Sequence, residues 1–129
     1  MISVDTNILV RILVDDPQQS SQVHSARRYV KQAEQVYVPQ IVQVEMVWVL
    51  ESAYRLTREQ VGHLLEHLGR NTSFFLQNEL NYRVALNAYK TKRADFADYL
   101  IWAESQAAGH SLLTFDKKLG REKDVICIS

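Results

Sequence analysis

The sequence predicts a three-layer α/β/α fold with a mostly parallel central sheet, carried by a single domain over residues 1–129. Two observations lead there. Short apolar runs alternate with longer stretches of helical periodicity, the order expected when right-handed helical crossovers join parallel strands. The 129-residue length and the balance of 47% hydrophobic to 23% charged residues then suit one compact globular unit.

Residues 2–4 are a short strand-like start, after which Thr6 and Asn7 offer capping oxygens to a helix that ends near Asp15, Asp16 and Pro17. Val23, Ala26, Tyr29, Val30 and Ala33 recur at helical spacing, so residues 18–32 are expected to be helical. Val36, Tyr37 and Val38 form the next strand, closed by Pro39. Residues 41–54 make an intensely apolar helix, and Thr57 with Gln60 opens another that should stop at Gly69. Residues 72–76 read as the third strand. An amphipathic helix over 78–90 follows, with Leu80, Val84, Leu86 and Ala88 on its inner face. Asp95 opens a helix through Ala108, stopped by Gly109. Residues 111–114 and 125–128 are too short for helices and read as buried strands.

Fifteen basic residues cancel fifteen acidic ones, so net charge gives no argument for a nucleic-acid partner. Cys127 has no partner for an intrachain disulfide, which points to a cytoplasmic setting with the thiol as small core filler. The opening residues lack a basic n-region and are interrupted by Asp5 and Asn7, so neither a signal peptide nor a membrane span is expected.

Five carboxylates carry the chemistry. Asp5 and Asp116 each follow a strand, where ligands of parallel α/β sheets gather. Glu45 is flanked by Ile41, Val42, Val44, Met46, Val47 and Trp48, so it is expected to be buried and therefore protonated, paired with an arginine or bound to a cation. Asp95 and Asp98 are three apart in the first turn of their helix, where a capping-box role competes with a site role. Asp116 with Thr114 fits either a turn or a ligand set. Acids gathered on one rim repel one another unless a cation compensates, and all-oxygen donors favour Mg²⁺ or Mn²⁺. Such an ion assists hydrolysis of a phosphodiester. Lys92 and Arg93 precede Asp95, Lys117 and Lys118 follow Asp116, and Arg11 lies beyond Asp5; these are candidate contacts for a polyanionic backbone.

The ordered set Val4-Asp5-Thr6-Asn7-Ile8-Leu9, Glu45, Asp95-Phe96-Ala97-Asp98 and Leu113-Thr114-Phe115-Asp116 resembles the PIN-domain ribonucleases, and more narrowly the VapC-type toxins of toxin-antitoxin pairs. The resemblance covers nearly the whole chain. It implies a PIN-like fold and an Mg²⁺- or Mn²⁺-dependent endoribonuclease that cleaves RNA. Asp5, Glu45, Asp98 and Asp116 would be its catalytic metal-site acids, Asp95 an auxiliary acid, and Thr6, Asn7 and Thr114 supporting polar residues. It also implies a homodimer and a cognate antitoxin. Tyr99 departs from the pattern, since a small residue is common there, and its bulk would narrow the groove.

Three other readings compete. His63-Leu64-Leu65-Glu66-His67 matches an inverted zinc-protease motif, although both histidines also fit the polar face of a helix. A phosphoacceptor receiver domain shares the small α/β design, but it wants an acidic pair after the first strand, where Asp5 stands alone. A catalytically silent PIN-like binding module requires that the acids hold no metal.

Overall fold

The computed structural model describes all residues, Met1–Ser129. The chain forms two compact units, Met1–Gln77 and Asn78–Ser129. The first holds β1 (Ile2–Ser3), α1 (Thr6–Leu13), α2 (Ser20–Ala33), β2 (Val36–Val38), α3 (Gln40–Ser52), α4 (Arg58–Arg70) and β3 (Phe74–Leu76). The second holds α5 (Glu79–Thr91), α6 (Phe96–Ala108), β4 (Leu112–Thr114) and β5 (Val125–Cys127).

Every strand pairing is parallel, as the strand-helix alternation requires. In the first unit the order is β1-β2-β3, with Ile2 opposite Val36 and Val36 opposite Phe74. In the second, β4 pairs with β5 and Leu113 lies opposite Ile126.

Local chemistry sets the boundaries. α1 ends at Leu13, because Val14 turns extended, and Pro17 begins a one-turn 3₁₀ segment capped by Asp16 instead of breaking α1 directly. The expected helix over 18–32 accordingly starts at Ser20. Thr57 and Gln60 form the full capping box expected at the start of α4. That helix then runs through Gly69 to Arg70, so Gly69 is not its stop; Asn71 leaves it in an extended conformation. Gly109 does end α6, with φ 75°, where a side chain would be strained.

The cores differ from the sequence reading in two places. α5 buries Tyr82, Ala85, Ala88 and Tyr89, leaving Leu80 and Val84 exposed, because the two tyrosines pack edge-to-face against Phe96 of α6. Large rings outweigh the aliphatic stripe in choosing the inner face. β4 and β5 are not buried strands: Leu113, Ile126 and Ile128 are exposed, as is Cys127, whose thiol lies 3.7 Å from the Asp116 carbonyl. In the first unit the core gathers Leu9, Val10, Val36, Val38, Met46, Leu50, Val61 and Leu65. His63 and His67 lie on the exposed face of α4.

Candidate functional site

Asp5 and Glu45 belong to the unit Met1–Gln77. Val4 is buried and donates to the Tyr37 carbonyl, and the chain turns into α1 one residue later. Asp5 is itself the N-cap: its Oδ1 accepts from the Ile8 N–H at 3.0 Å, a role that Thr6 and Asn7 were expected to fill. Thr6 instead donates its hydroxyl to Glu45 Oε1 at 2.9 Å.

Glu45 is exposed, which overturns the expectation of a carboxylate buried among apolar side chains. α3 is apolar almost all round, yet it buries Val42, Gln43, Met46, Val47 and Leu50 and turns Ile41, Glu45 and Trp48 outward. Those three are four and three residues apart, hence on one face. Ile41 and Trp48 remain 65% and 54% exposed, so apolar neighbours in sequence did not imply apolar surroundings for Glu45. Its partner is a threonine hydroxyl rather than an arginine. Asp5, Thr6, Asn7 and Glu45 line one cavity of about 370 Å³, walled by Trp48 and Val49.

Gln43 is the residue that sequence reasoning missed. Fully buried, it donates from Nε2 to the Val38 carbonyl at 3.3 Å and the Gln77 carbonyl at 3.0 Å. The Gln77 side chain in turn accepts from the Gln40 N–H at 2.7 Å, so the first turn of α3 is held to the chain just beyond β2 and β3. For Gln43 the only sequence signal is an amide set between Val42 and Val44 in an apolar helix. Gln43 Oε1 has no partner.

Arg11, a candidate contact for a polyanionic backbone, is engaged within the protein through two of its guanidinium nitrogens. Its guanidinium donates to Gln22 Oε1 at 3.0 Å and to the Tyr54 hydroxyl at 2.6 Å, and the Tyr54 hydroxyl in turn donates to Asp16 Oδ2 at 2.9 Å. Desolvation, then the Asp16 bond, pushes the Tyr54 hydroxyl above its ordinary pKa, so it acts as a neutral donor.

Asp95, Asp98 and Asp116 belong to the unit Asn78–Ser129. Asp95 occupies the N-cap position of α6, but its side chain makes no capping bond and is exposed. Asp98, three residues on, lies in the first turn of α6, where no capping box forms. Its carboxyl is pushed above the ordinary range, chiefly by desolvation and next by the Asp95 charge, with Asp116 adding to the rise. The Asp95 backbone pulls the other way.

Asp116 follows β4 and makes the turn that was one of its two sequence readings: Oδ1 accepts from the Lys118 N–H at 2.7 Å and the Leu119 N–H at 3.1 Å. Thr114 supports it by accepting the Asp116 N–H at 3.0 Å. Tyr99 is turned inward, fully buried, with its hydroxyl accepting the Ala94 N–H at 3.0 Å and its ring edge-to-face with Trp102. Its bulk is core, not a projection into a groove. Of the expected cations, Lys92 is ion-paired with Glu122 and sits 5.8 Å over the Trp102 ring, whereas Arg93, Lys117 and Lys118 are exposed.

The PIN domain family profile matches residues 2–124, nearly the whole chain. The chain belongs to the PIN domain family. PIN domains are generally metal-dependent nucleases, and the α/β class with parallel strands is the one the family shares. Searches of curated proteins and of solved structures returned no match. In this PIN domain no three His, Cys, Asp or Glu side chains are spaced to cage an ion. The donor set nevertheless fits a hard divalent cation, which keeps several waters and needs only one or two carboxylates besides phosphate oxygens. Asp5 and Glu45 supply such a pair on an open cavity. No helix is long and apolar enough to cross a membrane.

Proposed function

We propose that this PIN domain is an Mg²⁺- or Mn²⁺-dependent endoribonuclease, the toxin of a VapC-type toxin-antitoxin pair, acting in the cytoplasm as a homodimer and restrained by its cognate antitoxin. The observation that supports it most is the family match joined to the placement of its acids: Asp5 and Glu45 share one cavity, and Asp98 feels the charges of both Asp95 and Asp116. In this reading the whole chain is one nuclease domain. Asp5, Glu45, Asp98 and Asp116 are its metal-site acids and Asp95 an auxiliary one.

A divalent cation, when bound, supplies positive charge that polarises the phosphodiester and acidifies water for in-line attack. The protein's part is orientation. Thr6 fixes the Glu45 carboxylate by donating to Oε1, and the Ile8 N–H fixes Asp5. Thr114 and two backbone N–H groups set Asp116. Arg93, Lys117 and Lys118, all exposed, attract the RNA backbone, whereas Arg11 and Lys92 serve the fold.

The test is to map RNA 5′ ends in cells after brief expression of the wild type, Asp5→Asn and Asp98→Asn, and to repeat cleavage with purified proteins in Mg²⁺, Mn²⁺ and EDTA. New 5′ ends are expected for the wild type alone, abolished by EDTA. Cleavage that persists undiminished in a clean preparation of either variant would sink the assignment. Titration with Mn²⁺ by calorimetry separates an active nuclease from a silent module, which would bind none.

A further inference from the structure

We infer that Arg93, Lys118 and Arg121 form a phosphate subsite that seats a non-scissile backbone phosphate of the RNA strand; the inference rests on the endoribonuclease reading above. These three residues, with Lys92, Tyr99 and Glu122, line a cavity of about 460 Å³ in the unit Asn78–Ser129. Four cations therefore face one carboxylate.

That carboxylate is already committed. Glu122 has a side chain only 5% exposed and is ion-paired with Lys92, whose ammonium also lies over the Trp102 ring. No carboxylate pairs with Arg93, Lys118 or Arg121, and all three are exposed. Like charges collected around one cavity repel unless an anion enters it, so the cavity is electrostatically incomplete.

Its walls are preset. Tyr99, fully buried, holds the segment after Arg93 through the Ala94 N–H. On the other side, Asp116 holds the backbone N–H groups of Lys118 and Leu119, which fixes the turn leading to Arg121. Two carboxylate-bearing segments thus each present a cation two residues from an acid: Arg93 before Asp95, and Lys118 after Asp116. Two residues span at most about 7 Å, so the backbone positions of these cations and acids are close in the chain.

A strand whose charge recurs at every nucleotide suits this layout, with one phosphate seated by the cations and a neighbouring one left for the acids. Three convergent cations also match the several acceptor oxygens of a phosphate group better than the two of a carboxylate.

The test measures binding of a fluorescent single-stranded oligoribonucleotide in EDTA, where hydrolysis is silent, as a function of KCl. Wild type, Arg121→Gln, Lys118→Gln and the double variant are compared, with circular dichroism to confirm folding and metal-dependent cleavage assayed in parallel. Each substitution should flatten the slope of log K against log salt by about 0.7, the value for one phosphate contact on a single strand. Inorganic phosphate should shift the Arg121 Nε–H resonance of the wild type. Unchanged slopes in both single variants, with wild-type binding and cleavage intact, would overturn the subsite while leaving the nuclease reading standing. A wild type that neither binds nor cleaves RNA would overturn both. A polyglutamate peptide that outcompetes the oligoribonucleotide, and loses affinity in the same variants, would overturn it in favour of an acidic protein partner.

Discussion

Tyr54→Phe isolates the network that holds the Arg11 guanidinium. The substitution deletes one oxygen and with it two hydrogen bonds, the 2.6 Å bond accepted from Arg11 and the 2.9 Å bond donated to Asp16. What remains is the Arg11–Asp16 pair at 3.9 Å, with side chains 17% and 20% exposed. Bonds to charged groups are worth about 1.5–3 kcal/mol each when buried, but this network is partly solvated and the ion pair can close, so about 2 kcal/mol in total is expected. At about 2.1 cal/mol/K of unfolding entropy per residue, each kcal/mol moves the midpoint of a chain this size by roughly 4 °C, and the melt should fall by about 7 °C. Differential scanning calorimetry and urea unfolding measure it, and Arg11→Gln should cost a similar amount while leaving the salt dependence of RNA binding unchanged. A midpoint within about 1 °C of wild type, together with a flattened salt slope for Arg11→Gln, would refute the reasoning and return Arg11 to the substrate.

Two further outcomes follow from the geometry. In EDTA at neutral pH, Asp98→Asn should melt above the wild type, because the native state raises the Asp98 pKa above the ordinary 3.8 and so disfavours its ionised form. The sign fixes the window: the advantage is full above the folded-state pKa, shrinks as pH falls through it and vanishes below about 3.8, and a difference independent of pH would contradict it. Gly120→Ala would place a Cβ 2.7 Å from the Cβ of Cys127 in β5, so a loss of about 1–3 kcal/mol is expected by urea unfolding. Cys127→Gly in the same chain should restore much of it, and no rescue would show that the clash is not the cause.

Most of the element order was legible because periodicity and punctuation agree: Thr57 with Gln60, Gly109, and the strand-helix alternation each have a local cause. Which face of a helix is buried was less legible, for reasons that lie outside the helix. α3 is apolar on nearly every side, so its own residues could not say that Glu45 faces out and Gln43 in; the carbonyls of Val38 and Gln77 decide that. α5 carries two candidate faces, and the partner ring of Phe96 selects the tyrosine face. β4 and β5 read as buried because short apolar runs usually are, yet Leu113 and Ile126 remain exposed as a registered pair. For the candidate site, residue identities were visible in the ordered motifs. The assignment of cations was not, because whether Arg11 or Lys92 is free depends on Tyr54 and Glu122, distant in sequence from each.

The acids carry two jobs, and that duality decides how they should be tested. Asp5 caps α1 and Asp116 holds two N–H groups with one oxygen, so each starts an element while offering charge. Alanine at such a position removes charge and cap together, and lost cleavage then says nothing about chemistry. Asparagine keeps the accepting oxygen and removes only the charge. At Asp116 the contrast should be clearest: Asp116→Ala forfeits both backbone bonds, at a cost of about 1–3 kcal/mol, whereas Asp116→Asn should stay within about 1 kcal/mol of wild type. If charge serves metal, both variants lose cleavage and metal-induced stabilisation, although only the alanine variant is less stable in EDTA. An asparagine variant that keeps metal-induced stabilisation and cleavage would leave Asp116 as a turn residue alone, with catalysis resting on the other acids.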